Sequence, residues 1–350
     1  MMNTKLEFAS DYMKGAHPNI IRRLTETNLL ATSGYGSDAF TASAKDKIKR
    51  ACKCEMAEVE FLMGGTQTNA VMIDALLRPY QGVVAAVSGH ISAHEAGAIE
   101  AGGHKVLTVE HVDGKITADN LRLYLENFYR DENHEHMVMP GMVYLSQPTE
   151  YGTLYSLKEL TDIRGICDQY RIPLYVDGAR LAYALATPLN DVTLPDLARL
   201  CDAFYIGGTK CGALFGEAVV VPDPDLTPHL FTLIKQHGAL LAKGRMLGLQ
   251  FDELFTDDLY LKIGVCAVKE TDRIRNALSE RGFTLCFDSP TNQIFCMMED
   301  RKLDKFGKHV TYSFWEKTDE SHTVIRLATD WAANEKETDA LIDLLDKLKE

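Results

Sequence analysis

The chain has 350 residues, 46% of them hydrophobic and 25% charged, which are ordinary globular values and exclude global disorder. Its 37 Lys and Arg against 50 Asp and Glu give a formal charge of −13, a poor match for nucleic acid or an anionic membrane but compatible with a local basic pocket. No apolar run approaches the roughly 20 residues of a membrane span, and the segment opening the chain lacks the apolar core of a signal peptide.

In chain order, residues 1–40 are rich in Thr, Ser, Gly and Asn and read as an arm lying across other structure. From about residue 45 to 245, strand and helix signals alternate. Val59–Met63 reads as a strand, followed by Gly64–Gly65–Thr66 and a helix through Leu77. Val83–Val87 and Lys105–Glu110 read as strands flanking a helical stretch from His90 to Ala101. Leu121, Tyr124, Leu125 and Phe128 have the spacing of a helix with one buried face. Met142–Leu145 is a short apolar strand, and Ser156 with Glu159 forms a capping box that opens the next helix. Ile172–Val176, Ala203–Ile206 and Ala218–Val221 complete the series.

This alternation predicts an α/β fold, a largely parallel sheet with helices on both faces. Only nine residues, 207–215, separate the strand ending at Ile206 from the next one, which starts near Gly216. A parallel crossover needs about a dozen or more. These two strands are therefore predicted to be antiparallel, and the sheet mixed. Beyond residue 245 the pattern changes to helices over about 245–256 and 258–281, then strands at Phe283–Phe287, Asn292–Met298 and Thr323–Leu327. A last helix from Asn334 places Leu341, Leu344, Leu345 and Leu348 on one face. The expected organisation is an arm (1–40), a large domain (41–245) and a small α+β domain (246–350).

Open α/β sheets bind ligands beyond the carboxyl ends of their strands. Three strand ends carry chemistry. Gly64–Gly65–Thr66 lets backbone N–H groups at a helix N-terminus approach an anion, although a plain strand-to-helix turn has the same composition. Asp177–Gly178–Ala179–Arg180 puts a carboxylate at a buried strand end, where it needs a cation: Arg180 or a protonated heterocycle. Gly207–Gly208–Thr209–Lys210 offers an amine to a cleft; burial or a nearby cation lowers its pKa toward the nucleophilic form. A solvated loop lysine or a structural Asp–Arg pair would account for either motif singly. Together they supply what pyridoxal phosphate needs: an anion cradle, an acid for the pyridine nitrogen and a Schiff-base amine.

The chain resembles the low-specificity L-threonine aldolases of the β-eliminating lyase group, fold-type I pyridoxal-phosphate enzymes. The resemblance runs nearly the whole length through Gly64–Gly65–Thr66, His90, Tyr175–Arg180, Gly208–Lys210 and Ile325–Leu327. It implies that Lys210, Asp177 and His90 are catalytic, with His90 stacking on the cofactor ring. It implies that Gly64, Gly65, Thr66 and Arg180 help to hold the cofactor, and that Ser10, Arg180 and Arg326 hold the substrate carboxylate. Tyr35 resembles a tyrosine brought to the site from an adjacent subunit of a dimer or tetramer, and Lys243 and Arg245 resemble cations near a neighbour's phosphate. The implied reaction is retro-aldol cleavage of a β-hydroxy amino acid to glycine and an aldehyde.

Two positions depart from that family. The loop Gln147–Pro148–Thr149–Glu150–Tyr151–Gly152 lacks the expected histidine, leaving Glu150 or a water as base. Position 94 is His where an aromatic residue is expected, so His94 is a second candidate. β-Elimination, racemisation or transamination on another amino acid therefore remain open, as does a cofactor-binding protein without turnover. His90 and His94 have a metal-compatible spacing, but Ala98 stands where the second histidine of HExxH belongs, and no metal site is expected. Cys52 and Cys54, one residue apart, are not a common zinc pair. The eight cysteines read as reduced thiols of a cytoplasmic protein.

Overall fold

A computed structural model describes residues 5–347. After a two-residue strand β1 (Leu6–Glu7), seven strands form the large sheet: β2 (Glu58–Leu62), β3 (Gln81–Ala86), β4 (Val106–Val109), β5 (Met139–Ser146), β6 (Leu174–Asp177), β7 (Ala203–Gly207) and β8 (Glu217–Val221). Their spatial order is β2-β8-β7-β6-β5-β3-β4. Every residue of β6, β7 and β8 is buried, the pattern of strands covered on both faces. The pairs from β7 through β4 are parallel, whereas β8 is antiparallel to both β7 and β2. The short connection, residues 208–216 in the structure, thus does what its length requires.

This topology has a consequence for chemistry. The carboxyl ends of β2, β3, β5, β6 and β7 share one edge of the sheet, and the reversed strand β8 begins there with Glu217. The helix Gly65–Leu76 also starts at this edge. The turn after β6 packs so closely on β7 that a Cβ at Gly178 would overlap the Tyr205 carbonyl oxygen. A larger residue there would separate the two strand ends that carry the principal site residues.

The second sheet is antiparallel, in the order β12 (Ser313–Lys317), β13 (His322–Ala328), β10 (Gln293–Glu299) and β9 (Thr284–Leu285). The remaining strand, β11 (Val310–Thr311), pairs in parallel with β1 and ties the N-terminal segment to this body. Phe8 joins the same core as Ile274, Ile294, Phe306, Leu341 and Leu345. The 22-residue helix Leu259–Glu280 spans two cores. Tyr260, Ile263, Ala267 and Val268 pack into the large one, and Ile274, Ala277 and Leu278 into the small one. Leu247, Phe251 and Leu254, on the helix Arg245–Leu254, also belong to the large core.

Several local expectations change. The stretch from His90 to Ala101 is two short helices, His90–Ala93 and Ala98–Ala101. Ala96 and Gly97 between them both have positive φ, which breaks the helical run. The N-terminal segment contains a helix, Pro18–Glu26, and Asp300–Phe306 is a further helix. The Ser156/Glu159 capping box is formed as expected. Leu341 and Leu345 are buried on the last helix; Leu348 lies outside the described residues.

Candidate active site

The shared strand edge opens into a cleft with an inner chamber of about 230 Å³ and an outer one of about 460 Å³. Tyr12, His90, Glu150, Arg180 and Lys210 line both, so the chambers are continuous. Asp177 is buried at the inner end. Its Oδ2 accepts hydrogen bonds from Tyr144 Oη at 2.6 Å and Asn69 Nδ2 at 3.1 Å, and its Oδ1 accepts the Ala179 N–H at 3.0 Å. Burial pushes this carboxyl up. The His90 charge and the hydrogen bonds from Tyr144, Tyr205 and Ala179 outweigh that effect and hold it below the usual aspartate range. Asp177 is therefore a fixed anion aimed into the inner chamber.

Asn69 connects this anion to His90. Its Nδ2 also donates to Glu95 Oε1 at 2.8 Å, and its Oδ1 accepts from Tyr175 Oη at 3.0 Å. Glu95 Oε1 lies 2.8 Å from His90 Nδ1. The carboxylate orients the imidazole and favours the tautomer carrying a proton on Nδ1. The second oxygen, Oε2, is buried without a partner.

Lys210 sits in the hairpin between β7 and β8. Burial lowers its pKa, and Arg180 adds to the effect; Asp11, Asp177 and Glu217 oppose without reversing it. The result is an amine more readily deprotonated than a surface lysine, as a nucleophilic lysine requires. The carbonyl of Lys210 accepts Tyr183 Oη at 2.5 Å, which anchors the backbone beneath it.

On the opposite wall, the helix Gly65–Leu76 begins after Gly64, and no side chain caps it. Its first N–H groups are directed to an incoming acceptor, and Gly65 and Thr66 both line the inner chamber. Glu150 lies where the chambers meet. Its Oε1 accepts Ser146 Oγ at 2.7 Å and the His90 N–H at 2.9 Å. Burial raises its carboxyl above the ordinary glutamate range despite these bonds.

The two arginines differ. Arg180 is held by Asp11 through two hydrogen bonds, Nε to Oδ2 at 2.6 Å and Nη2 to Oδ1 at 3.1 Å. Its guanidinium also faces the cleft. Arg326 donates only to neutral acceptors: Gln293 Oε1 at 3.3 Å, the Ala9 carbonyl at 3.2 Å and Ser313 Oγ at 3.2 Å. Its Nε is buried without a partner, and no ion pair joins it to a carboxylate among the described residues. Burial and the neighbouring Arg180 charge lower its pKa. Such a cation lining the outer chamber is matched to a ligand anion.

Most of the expected residues converge. Gly65, Thr66, His90, Asp177, Arg180, Lys210 and Arg326 line one chamber or the other. Gly64 sits just behind the cradle as its helix cap. Ser10 is buried with its hydroxyl unpartnered, beside the two residues of its segment that act at the cleft, Asp11 on Arg180 and Tyr12 in the lining. Tyr35 lines neither chamber of this chain: it is exposed, with Lys235 Nζ 4.8 Å from its ring centroid. Lys243 is exposed, and Arg245 is occupied by the Thr27 carbonyl at 2.8 Å. His94 reaches only the outer chamber. Asp11, Asn69, Tyr144 and Glu217 belong to the site without having been singled out. The only prior signal was a polar residue next to an expected one (Asp11) or inside an apolar run (Asn69, Glu217).

Residues 7–287 match the beta-eliminating lyase family. The chain belongs to that family. The solved structure of a Leishmania major threonine aldolase is 40% identical to this beta-eliminating lyase, with a TM-score of 0.95 over 98% of this chain and 99% of that one. A low specificity L-threonine aldolase from Pseudomonas aeruginosa is 29% identical over 306 residues, 85% of this chain and 86% of the relative. A Thermus thermophilus aspartate aminotransferase mutant, 12% identical, shares the fold with a TM-score of 0.72 over 99% of this chain and 92% of its own. The motif-based resemblance, the fold-type I architecture and the assignment as a lyase-family enzyme are thus borne out.

Proposed function

We propose that this beta-eliminating lyase binds pyridoxal phosphate and cleaves a β-hydroxy amino acid of the threonine or allo-threonine kind to glycine and an aldehyde. The observation that carries this reading is Arg326, a half-buried guanidinium whose Nε is buried and which has no carboxylate partner among the described residues, sharing one chamber with Lys210 and Glu150. An α-amino acid presents a carboxylate and an amine close together, and this chamber offers a cation and an amine-bearing attachment point to receive them.

The donor set fits the cofactor. The uncapped helix start at Gly65 and Thr66 would hold its phosphate, Asp177 its pyridine N–H, His90 its ring face and Lys210 its carbonyl carbon. When bound, pyridoxal phosphate supplies an electron sink for the bonding pair of the broken Cα–Cβ bond. The protein's residues do the rest. Arg326 grips the substrate carboxylate. Arg180, fixed by Asp11, closes the inner side of the same pocket. Glu150 accepts the β-hydroxyl proton. Among the two candidate bases it fits better than His94, because it lines both chambers and burial moves its carboxyl toward the operating range. Burial, reinforced by the His90, Arg326 and Lys210 charges, keeps His94 more readily neutral than usual, which suits a contact with the substrate side chain.

On this reading Tyr35, exposed on its loop, serves the cleft of a second copy of the chain. The test of function is incubation of the purified protein with L-threonine, L-allo-threonine, L-serine and L-cysteine, scoring aldehyde, glycine, pyruvate and sulfide. Aldehyde and glycine in equal amounts are expected from the threonines. Pyruvate or sulfide as the main product would replace cleavage with β-elimination.

A further inference from the structure

Gln293 opens β10, and nothing in the chemistry described so far uses it. β10 pairs antiparallel with β13, so that Phe295 stands opposite Arg326 and Gln293 opposite Ala328. Directly paired residues project to the same face of a sheet, as do residues two apart on one strand. Gln293 is thus the diagonal neighbour of Arg326 on the face from which Arg326 lines the outer chamber, a separation that a long side chain spans. Ser313 of β12 stands opposite Arg326 on its other side.

The diagonal contact is made. Arg326 Nη1 donates to Gln293 Oε1 at 3.3 Å, and Nη2 donates to the Ala9 carbonyl and to Ser313 Oγ, each at 3.2 Å. Three of the five guanidinium N–H donors are therefore directed at neutral oxygens, and the positive charge is left whole. Arg180, in the same cleft, has its charge met by Asp11. Of the three acceptors around Arg326, one is backbone and one is a short hydroxyl. Gln293 is the one with the size and shape of a glutamate. A carboxylate in its place would pair with Arg326 as Asp11 pairs with Arg180, and the substrate carboxylate would meet a cation already neutralised.

For the fold alone, a carboxamide at this position is unfavourable. Gln293 is fully buried, and its Nε2 has no hydrogen-bond partner among the described residues. A buried amide with unmet donors costs stability that an unbranched apolar chain such as methionine does not. The amide meets the guanidinium only through its oxygen, since Nε2 carries donors alone. What glutamine adds over methionine is the contact with Arg326. What it adds over glutamate is an acceptor without charge.

We propose that Gln293 is a positioning residue for carboxylate binding, a role that rests on Arg326 being the arginine that receives the substrate. Gln293 holds Nη1 in place and leaves the arginine's charge uncompensated for the incoming α-carboxylate. With methionine at 293 the guanidinium loses one of its three anchors. With glutamate the substrate competes with an internal anion. A ligand without a carboxylate feels neither change.

The experiment compares wild type, Gln293→Met, Gln293→Glu and Arg326→Ala, each loaded with pyridoxal phosphate. KM and kcat are measured for L-threonine. The probes are 3-hydroxybutyrate, which keeps threonine's carboxylate and hydroxyl without its amine, and the neutral 3-hydroxybutyramide. Their binding is followed by tryptophan fluorescence, since Trp315 lines the outer chamber. Gln293→Glu is expected to raise KM and the Kd of 3-hydroxybutyrate by about 10-fold or more, and Gln293→Met by about 3- to 10-fold, with smaller changes in kcat. The amide should bind all three Gln293 forms alike, so the preference for carboxylate over amide falls in both variants. A glutamine that only supports the fold would lower the unfolding temperature when replaced and leave that preference intact. An unchanged preference in both Gln293 variants would overturn the proposal. If Arg326→Ala also keeps the preference, the reading of Arg326 falls with it; if Arg326→Ala loses it, only the role of Gln293 falls. Absence of threonine cleavage would refute the proposed reaction, and the binding preference would still decide the role of Gln293.

Discussion

Asp11 clasps Arg180 with both carboxylate oxygens, 2.6 Å from Nε and 3.1 Å from Nη2, across 169 positions of sequence. Asn292 Nδ2 adds a third hydrogen bond to Asp11 at 3.0 Å. The N-terminal segment is thereby joined to the large sheet and to the small body at one point, which lies at the wall of the cleft. Arg180 is consequently held in place before substrate arrives, and of the two cleft arginines Arg326 is the one without an anionic partner among the described residues.

Removing one partner of such a buried pair leaves an unpaired charge and costs about 3–5 kcal/mol. We expect Asp11→Asn to lower the unfolding free energy toward that extent and to raise KM. The pH dependence follows from the carboxyl itself. Burial would raise it, but Arg180, Lys210 and the bonds from Arg180 and Asn292 hold it at about 2 rather than 3.8. Its depressed pKa makes the contribution complete above about pH 4 and lost as the pH falls through about 2. Denaturation profiles of wild type and Asp11→Asn should therefore converge as the solution is acidified from pH 5 toward 2. A stability gap that widens over that range would contradict the pairing.

Lys210→Ala should eliminate both the visible absorbance of the coenzyme linkage and turnover, because among the described residues no other lysine lines either chamber. A spectrum recorded before and after borohydride reads this directly, and a variant with normal turnover would refute the assignment.

Glu150→Gln should reduce kcat for threonine cleavage by about 100-fold while leaving coenzyme absorbance intact, the scale of a lost general base. The acid limb of the wild-type kcat/KM profile should lie above the ordinary glutamate value of 4.5, since burial raises the carboxyl, and activity should grow as the pH passes through it. That limb should vanish in the variant. His94→Phe is the control: if it, rather than Glu150→Gln, removes the limb, the base has been misassigned.

Arg326→Ala should raise KM for the amino acid by about 10- to 100-fold, corresponding to about 1.5–3 kcal/mol for a hydrogen bond to a charged group. Arg326→Lys should recover only part of this, because a point charge cannot reproduce two parallel donors. Unchanged KM in both variants would place the carboxylate elsewhere.

The residues at strand ends were legible early because each follows a buried apolar run. Asp177 after Leu174–Val176 and Lys210 after Ala203–Gly207 announce themselves as polar groups where a helix-covered sheet stops. The antiparallel return of β8 was also legible, since chain length alone forbids a parallel crossover. The break after Ala93 was not, because nothing in the sequence pattern there predicts positive φ at Ala96. The helix Pro18–Glu26 was hidden in a polar segment whose burial comes from docking on other elements, with Ile20 its one buried residue.

The order of elements, the mixed sheet and the lysine–aspartate pair follow from local periodicity and connection length, which are properties of neighbouring residues. The partners of those groups were decided by folding alone: Asp11 against Arg180, Asn69 between Asp177 and Glu95, Glu217 on the Gly208 N–H and Thr209 hydroxyl that precede Lys210. Each of these contacts joins residues from separate elements, and which carboxylate meets which cation depends on how strands stack at one edge of a sheet. Burial then sets their charges, because the low-polarity surroundings that shift a carboxyl or an amine exist only once the chain has packed around it.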